Sequence, residues 1–513
     1  MNLDRRTFLR DSTLGALTSV SLSQYLSDRT FQTGSKGGIV NIKQFDAKGD
    51  GITDDRIAIQ DAIDSIKDSG GTVFMPPGVY RLSRNPDDQS GLKIYSNQQI
   101  IGAGRGNTIL KWMDDVTTTS PHFLLAADGD YVENVTISDF EIDGNKDKRG
   151  NNEFQILGEG IEINGKNILI RNMYIHDVLG EGIDNDNSDG MMITNVIVEN
   201  TGGNGIHCSD DLVRDVLISN CITRNCAHGR KAANNRRYGG LVLRGSGIYV
   251  VNHRSIEDAQ IANIEGEGLG ADNEICLSQV AGKATREDSE GFRIGMKGKI
   301  TLMNCRSQTP FSNRDNFRIE DFEGIATLKD CYSETFEGQA YAMSMNGTLI
   351  TEGCTALAKT TGAGSHGFMA QVEGRVVWRN CEFISSQTSG NGFMFSGNHA
   401  DIEVENCRYL NPQNISGHAV KINTSVNEVD NTDAAAHIVS VNGGDFHTGR
   451  DAASVVDLST GNNSSIQVKD IKRCVGGKNA LNIKQSDSST MGKVMICGNH
   501  LEGLKTQYIY LRE

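Results

Sequence analysis

Residues 291–331, GFRIGMKGKITLMNCRSQTPFSNRDNFRIEDFEGIATLKDC, carry one phrase twice. Phe292-Arg293-Ile294 leads the first copy and Phe317-Arg318-Ile319 the second; Asn304-Cys305 closes one and Asp330-Cys331 the other. Working outward, Cys305, Cys331, Cys354, Cys381 and Cys407 follow at steps of 26, 23, 27 and 26 residues. A second ladder of apolar leaders runs in step: Ile161, Ile183, Ile206, Leu241, Leu269, Phe292, Phe317, Tyr341, Phe368 and Phe393. A self-similar period in the twenties is the mark of a solenoid. The units are short β-prone runs punctuated by glycine and asparagine, without a leucine-rich pattern, so the prediction is an all-β, right-handed parallel β-helix. Equivalent residues then stack about 4.8 Å apart on successive coils. The cysteines become an inward stack of small apolar side chains rather than a disulfide framework.

The totals agree with this reading. Fifty-eight glycines against 6 prolines suit many short strands and tight turns. A formal net charge of -15 argues against nucleic acid as a partner, which needs a basic footprint. No run of eighteen apolar residues occurs, so no membrane span is predicted. The opening MNLDRRTFLR resembles a twin-arginine export signal at Arg5-Arg6-Thr7-Phe8-Leu9, which implies a secreted protein exported folded. Three segments follow: a signal and linker over 1–36, a cap over 37–90, and the β-helix over 91–513. Within the cap, Thr53 is expected to cap a helix whose first turn holds Asp54 and Asp55. Ile59, Ile63 and Ile66 form its apolar face and cover the first coil.

The cap (VNIKQFDAKGDGITDDRIAIQDAIDSIKDSGGTVFMPPGVYRL, 40–82), with LKIYSNQQIIGAGRGNTILKW (92–112) and ISDFEIDGNKDKRG (137–150), resembles the pectate-lyase-like β-helix superfamily. Among its members, the catalytic module of mannuronan C5-epimerases is most similar. The resemblance covers roughly residues 40–230 and implies the fold more strongly than the reaction, because lyases, hydrolases, epimerases and phage tailspikes share the scaffold. Epimerases of this type carry a Tyr-Gly-Phe-Asp-Pro-His phrase, with a further aspartate on the next coil. Here it reads Glu181-Gly182-Ile183-Asp184-Asn185-Asp186. Asp184 matches the family aspartate, Glu181 stands for the tyrosine and Asp186 for the histidine, while Ser209 falls where the further aspartate is expected. The resemblance also implies a homotrimer as one possible assembly.

Strand alternation assigns directions. With Ile183 inward, Asp184 and Asp186 point out. One outward column reads Glu162, Asp184, His207, Val242, Gly270, Arg293, Arg318, Ala342, Met369, Met394; the other begins Asn164, Asp186, Ser209, Arg244, Asp272. Polar chemistry concentrates in the early coils, and the later coils are read as scaffold. Asp184, Asp186 and His207 are the catalytic candidates, since close carboxylates drive their pKa values apart and histidine can hold a proton near neutrality. Arg224, Arg230, Lys231, Arg236 and Arg237 form a basic run inside 224–240. With Lys148, Arg149, Asp210, Arg244 and Arg293, it gives candidate contacts to an anionic polysaccharide. Asp184, Asp186 and Asp210 offer an alternative calcium site, in which Arg214, Arg230, Arg244 or Arg293 takes the proton.

Three functions are open. The first is β-elimination on a uronate-containing polysaccharide. The second is glycoside hydrolysis by Asp184 and Asp186, whose ideal-strand separation of about 6.6 Å nears the roughly 6.5–9.5 Å of inverting enzymes. The third is C5-epimerisation or glycan binding without turnover.

Overall fold

The computed structural model describes residues 37–512 apart from several short segments, among them 149–157, 229–237 and 267–272. The export signal at Arg5-Arg6 therefore lies outside the described residues. The chain winds into a parallel β-solenoid of about 13 turns. Among the described residues, the strands form two sheets, one of 26 strands and one of 16, and every assigned strand pair is parallel. No helix among the described residues is long and apolar enough to cross a membrane.

The cap helix, Arg56–Asp64, buries Ile59, Ala62 and Ile63, and Ile66 follows just beyond its end. It is tied to the next coil at backbone level: Gln60 accepts from the Lys93 N–H at 2.8 Å and donates to the Lys93 carbonyl at 3.1 Å. The capping residue differs from the sequence expectation. Asp55 is the N-cap, and Thr53 and Asp54 belong to the strand Asp50–Asp54. Asp50 accepts the Thr53 N–H and hydroxyl, which holds Thr53 in that strand ahead of the helix. Asp55 in turn is drawn to the backbone N–H groups of Lys48 and Gly49.

The larger sheet keeps one register along the functional column. Glu162 pairs with Asp184, Asp184 with His207, His207 with Val242, then Asn263, Arg293, Arg318, Ala342, Met369 and Met394. One coil differs from the sequence expectation. The strand after Leu241–Val251 is Ala262–Gly266, so Ala262 replaces Leu269 as leader, and Asn263 and Glu265 replace Gly270 and Asp272. The phrase at 267–271 imitates the ladder by composition, but pairing follows the backbone, and the alanine leader gave no bulky apolar mark.

Many coils turn at a left-handed residue in the same place: Asn172, Asn195, Asn220, Asn252, Asn304, Asp330, Asn380 and Asn406 all have φ between 51° and 54°. Asn and Asp tolerate this conformation better than other side chains. They also bond along the stack, as Asn195 Nδ2 does to Asn172 Oδ1 at 2.6 Å. In the repeats that first defined the period, the next residue is the cysteine, so the Asn-Cys and Asp-Cys phrases encode a turn followed by an inward side chain. Cys305, Cys331, Cys354, Cys381 and Cys407 are all buried free thiols. Their thiols point at backbone carbonyls, as Cys305 Sγ does to Leu277 at 3.5 Å. Burial raises the thiol of Cys331 well above its ordinary value. Opposite them, Phe292, Phe317, Tyr341, Phe368 and Phe393 stack ring on ring with centroids 4.6–5.0 Å apart.

Candidate active site

The candidate site occupies three consecutive coils of the larger sheet: the strands Ile161–Glu162, Ile183–Thr194 and Ile206–Ser219. Ile161, Ile183 and Ile206 are fully buried, which turns Glu162, Asp184 and His207 outward in register. His207 Nδ1 lies 2.6 Å from Asp184 Oδ1, and both side chains are largely enclosed. Burial alone would lower the His207 pKa. The Asp184 hydrogen bond, together with the charges of Asp184, Glu181 and Asp186, outweighs it and holds the ring above its ordinary value.

Asp186 follows outward on the same strand, where the regular ladder breaks. Asn185 pairs with Cys208 but Asn187 pairs with Leu212, so Ser209, Asp210 and Asp211 bulge out of register. Asn164 secures the break by accepting the N–H groups of Asp186 and Asn187, both at 2.9 Å. Ser209 keeps its pairing with Arg244, but no register pair joins it to Asp186. The Asp186 carboxyl is raised to about 6, first by the protein packed around it and then by Asp184, Asp210 and Glu162, with His207 opposing. Donor atoms of Asp184, Asp186 and His207 lie within 4.8 Å of one another.

That set does not suit calcium, which takes six to eight oxygen ligands. The three groups are two carboxylates and an imidazole, whose ring nitrogen is not the oxygen ligand that calcium prefers. Asp210 stands outside the group and accepts the Leu212 N–H at 3.2 Å. The geometry also departs from an inverting carboxylate pair, whose separation of about 6.5–9.5 Å leaves room for a water.

Two residues of the site were not read from the sequence. His122 Nδ1 lies 2.5 Å from Glu159 Oε2 and 2.9 Å from Glu162 Oε2. Burial pulls its pKa down, but the two carboxylates overcome this and raise it to about 10. Glu159 is pushed up by burial and pulled down further by His122, ending below its ordinary value. Glu159 and Glu181 hold the same place, two before their leaders Ile161 and Ile183, and are both buried. His122 stands two before Leu124, which pairs with Ile161. The signal was present in the repeated Glu-Gly-Ile phrase, but the long step from Leu124 to Ile161 hid its first member.

The remaining candidates fare differently. Arg244 is held by Asp211 at 2.7 Å, and Arg293 by Glu320 at 2.7 Å with Glu265 at 3.6 Å. Lys148 is exposed in the turn Lys146–Lys148, and among the described residues no contact ties it to Asp184. Arg149, Arg230 and Arg237 lie outside the described residues.

The family described as rhamnogalacturonase A/epimerase, pectate lyase-like, matches residues 39–238. That match covers under half of the chain and is a likeness to pectate-lyase-like β-helix proteins. Mannuronan C5-epimerase AlgE3 of Azotobacter vinelandii is 29% identical over 42% of this chain and 11% of its own length. Alginate lyase 7 of the same organism is 35% identical over 37% of this chain and 23% of its own length. The preneck appendage protein of Bacillus phage PZA is 29% identical over 45% of this chain and 31% of its own length. The chain thus spans well under half the length of each of these relatives. Set beside the epimerase phrase, the present site departs at two positions. Glu181, at the tyrosine position, is buried and bonded by Asn204 at 3.3 Å rather than facing the groove. Asp186, at the histidine position, is exposed beside Asp184.

Proposed function

We propose that this β-helix acts on a uronate-containing polysaccharide by β-elimination, with export across a membrane by the twin-arginine route. The observation that carries the reading is the pairing of Asp186, with a pKa of about 6, and His207, held toward its charged form by Asp184. At neutral pH this supplies a base and an acid side by side. Asp186 takes the proton on C5 of the uronate, and the electron pair forms the C4–C5 double bond. The C4–O4 bond then breaks, and His207 returns a proton to the leaving oxygen. Asp184 orients the imidazole and stabilises its charge.

Elimination suits this site better than epimerisation, which must protonate the opposite face of the sugar. Glu181, standing at the tyrosine position, is turned into the wall and bonded by Asn204. The names of the relatives, an alginate lyase among them, support an acidic substrate.

The test is incubation of the purified chain with alginate, pectate, hyaluronan and ulvan, following ultraviolet absorbance of unsaturated uronate and reducing ends together. Both signals are expected to rise on one uronan. Reducing ends without absorbance would replace elimination with hydrolysis, and an altered uronate composition without cleavage would replace it with epimerisation.

A further inference from the structure

The same sheet carries a second concavity, roughly 25–30 Å from Asp184 at about 4.8 Å per strand. It has a volume of about 500 Å³ and crosses the strands Phe292–Met303, Phe317–Lys329, Tyr341–Glu352, Phe368–Arg379 and Phe393–Ser396. A stack of four glycines builds it. Gly298, Gly324, Gly347 and Gly374 pair in register, with φ of 119°, 139°, 127° and 132°. A Cβ on any of the last three would meet the preceding glycine's carbonyl oxygen at 2.0–2.2 Å. Only glycine permits this bend, and the long strands turn an elbow there. Its floor is the buried row Phe322, Met345 and Val372.

Two outward columns face each other across that floor. Ser344, Gln371 and Ser396 form one, and Lys297, Glu323, Asn346 and Glu373 the other. Elsewhere on this sheet, outward charges are matched with one another: Arg293 and Arg318 with Glu320, Arg375 with Glu403, Arg379 with Glu405. In the groove, Lys297 pairs with Glu323 at 2.9 Å. Among the described residues, Ser344, Asn346, Gln371, Glu373 and Ser396 make no side-chain hydrogen bond or ion pair. A row of amides, hydroxyls and one carboxylate, free and repeated once per coil, is matched to a chain rich in hydroxyls. It does not fit an extended peptide, because these strands are interior to the sheet and their backbone groups are already paired.

We infer that this elbow is a second glycan-binding groove, separate from the Asp184 site, and that its ligand is an uncharged polysaccharide. The charge decides the class. Glu373 and the neighbouring Asp321 are unmatched carboxylates and Lys297 is already neutralised, so a polyuronate is repelled while sugar hydroxyls find acceptors and amide donors. The spacing of one strand is close to the length of one sugar ring in an extended chain, so successive coils can meet successive sugars.

The test is calorimetric titration of the full chain with cellohexaose, mannohexaose, xylohexaose and maltohexaose, and with hexamannuronate as competitor. One neutral hexaose is expected to bind, and hexamannuronate to leave that binding intact. Asn346→Ala with Gln371→Ala should weaken it about tenfold or more, the loss of two neutral hydrogen bonds. Ser344→Trp, which fills the trough from an exposed position, should abolish it. Asp184→Asn should not change it, which separates this groove from the chemistry proposed above. Failure of all four neutral hexaoses, displacement by hexamannuronate, or unaltered binding in both groove variants would overturn the inference.

Discussion

Replacing Asp184 by asparagine tests the centre of the site with little change of shape. In the native protein, His207 is charged because its ring sits 2.6 Å from the Asp184 carboxylate despite being enclosed. An opposite charge at this range raises a histidine by roughly 1–3 pH units, each worth about 1.4 kcal/mol. The asparagine side chain keeps a hydrogen-bonding oxygen but removes that charge, and burial then governs the ring. The expected midpoint moves from above the ordinary 6.5 to below it. Histidine Cε1 proton NMR reads this directly, with His207→Gln assigning the resonance. At pH 7 the imidazole is then neutral and cannot protonate the leaving oxygen, so turnover on the responsive uronan should fall by about 10²–10⁴. A His207 midpoint that stays in place in Asp184→Asn would refute the pairing, whatever happens to activity.

Three further outcomes follow from the packing. The folded pKa of His122, about 10, lies above its ordinary 6.5, so its ion pairs stabilise the fold fully below pH 6.5 and cease to as pH climbs through 10. Urea unfolding should lose on the order of 5 kcal/mol across that window, His122→Gln should flatten the profile, and a flat native profile would contradict the assignment. Gly347→Ala places a Cβ 2.1 Å from the Gly324 oxygen at φ 127°, so it should cost about 3 kcal/mol or more; an unchanged urea midpoint would remove the steric account of the elbow. Tyr341 donates to the Cys331 and Thr355 carbonyls at 2.9 and 3.1 Å within the aromatic stack. Tyr341→Phe should cost about 1 kcal/mol and Tyr341→Ala about 3–5 kcal/mol, and equal losses would assign the stability to the hydroxyl rather than the ring.

By itself, the sequence determined the solenoid. A period of 22–28 residues, with turn residues ahead of inward cysteines and apolar leaders at constant phase, leaves few other ways to bury so many short strands. It also determined which side chains leave the core, because alternation follows from backbone geometry: Glu162, Asp184, His207, Arg293 and Arg318 share one column as the phase requires. It did not determine where alternation breaks. The bulge after Asn185, the alanine-led coil at Ala262 and the placing of His122 against Glu159 and Glu162 depend on contacts between residues 21–40 positions apart. Only the wound chain brings those together, and charge settles there by burial and neighbours rather than by residue type. The same reason explains the elbow. Four glycines in four repeats read as ordinary turn residues until stacking puts each against the carbonyl of the last and bends the sheet into a groove.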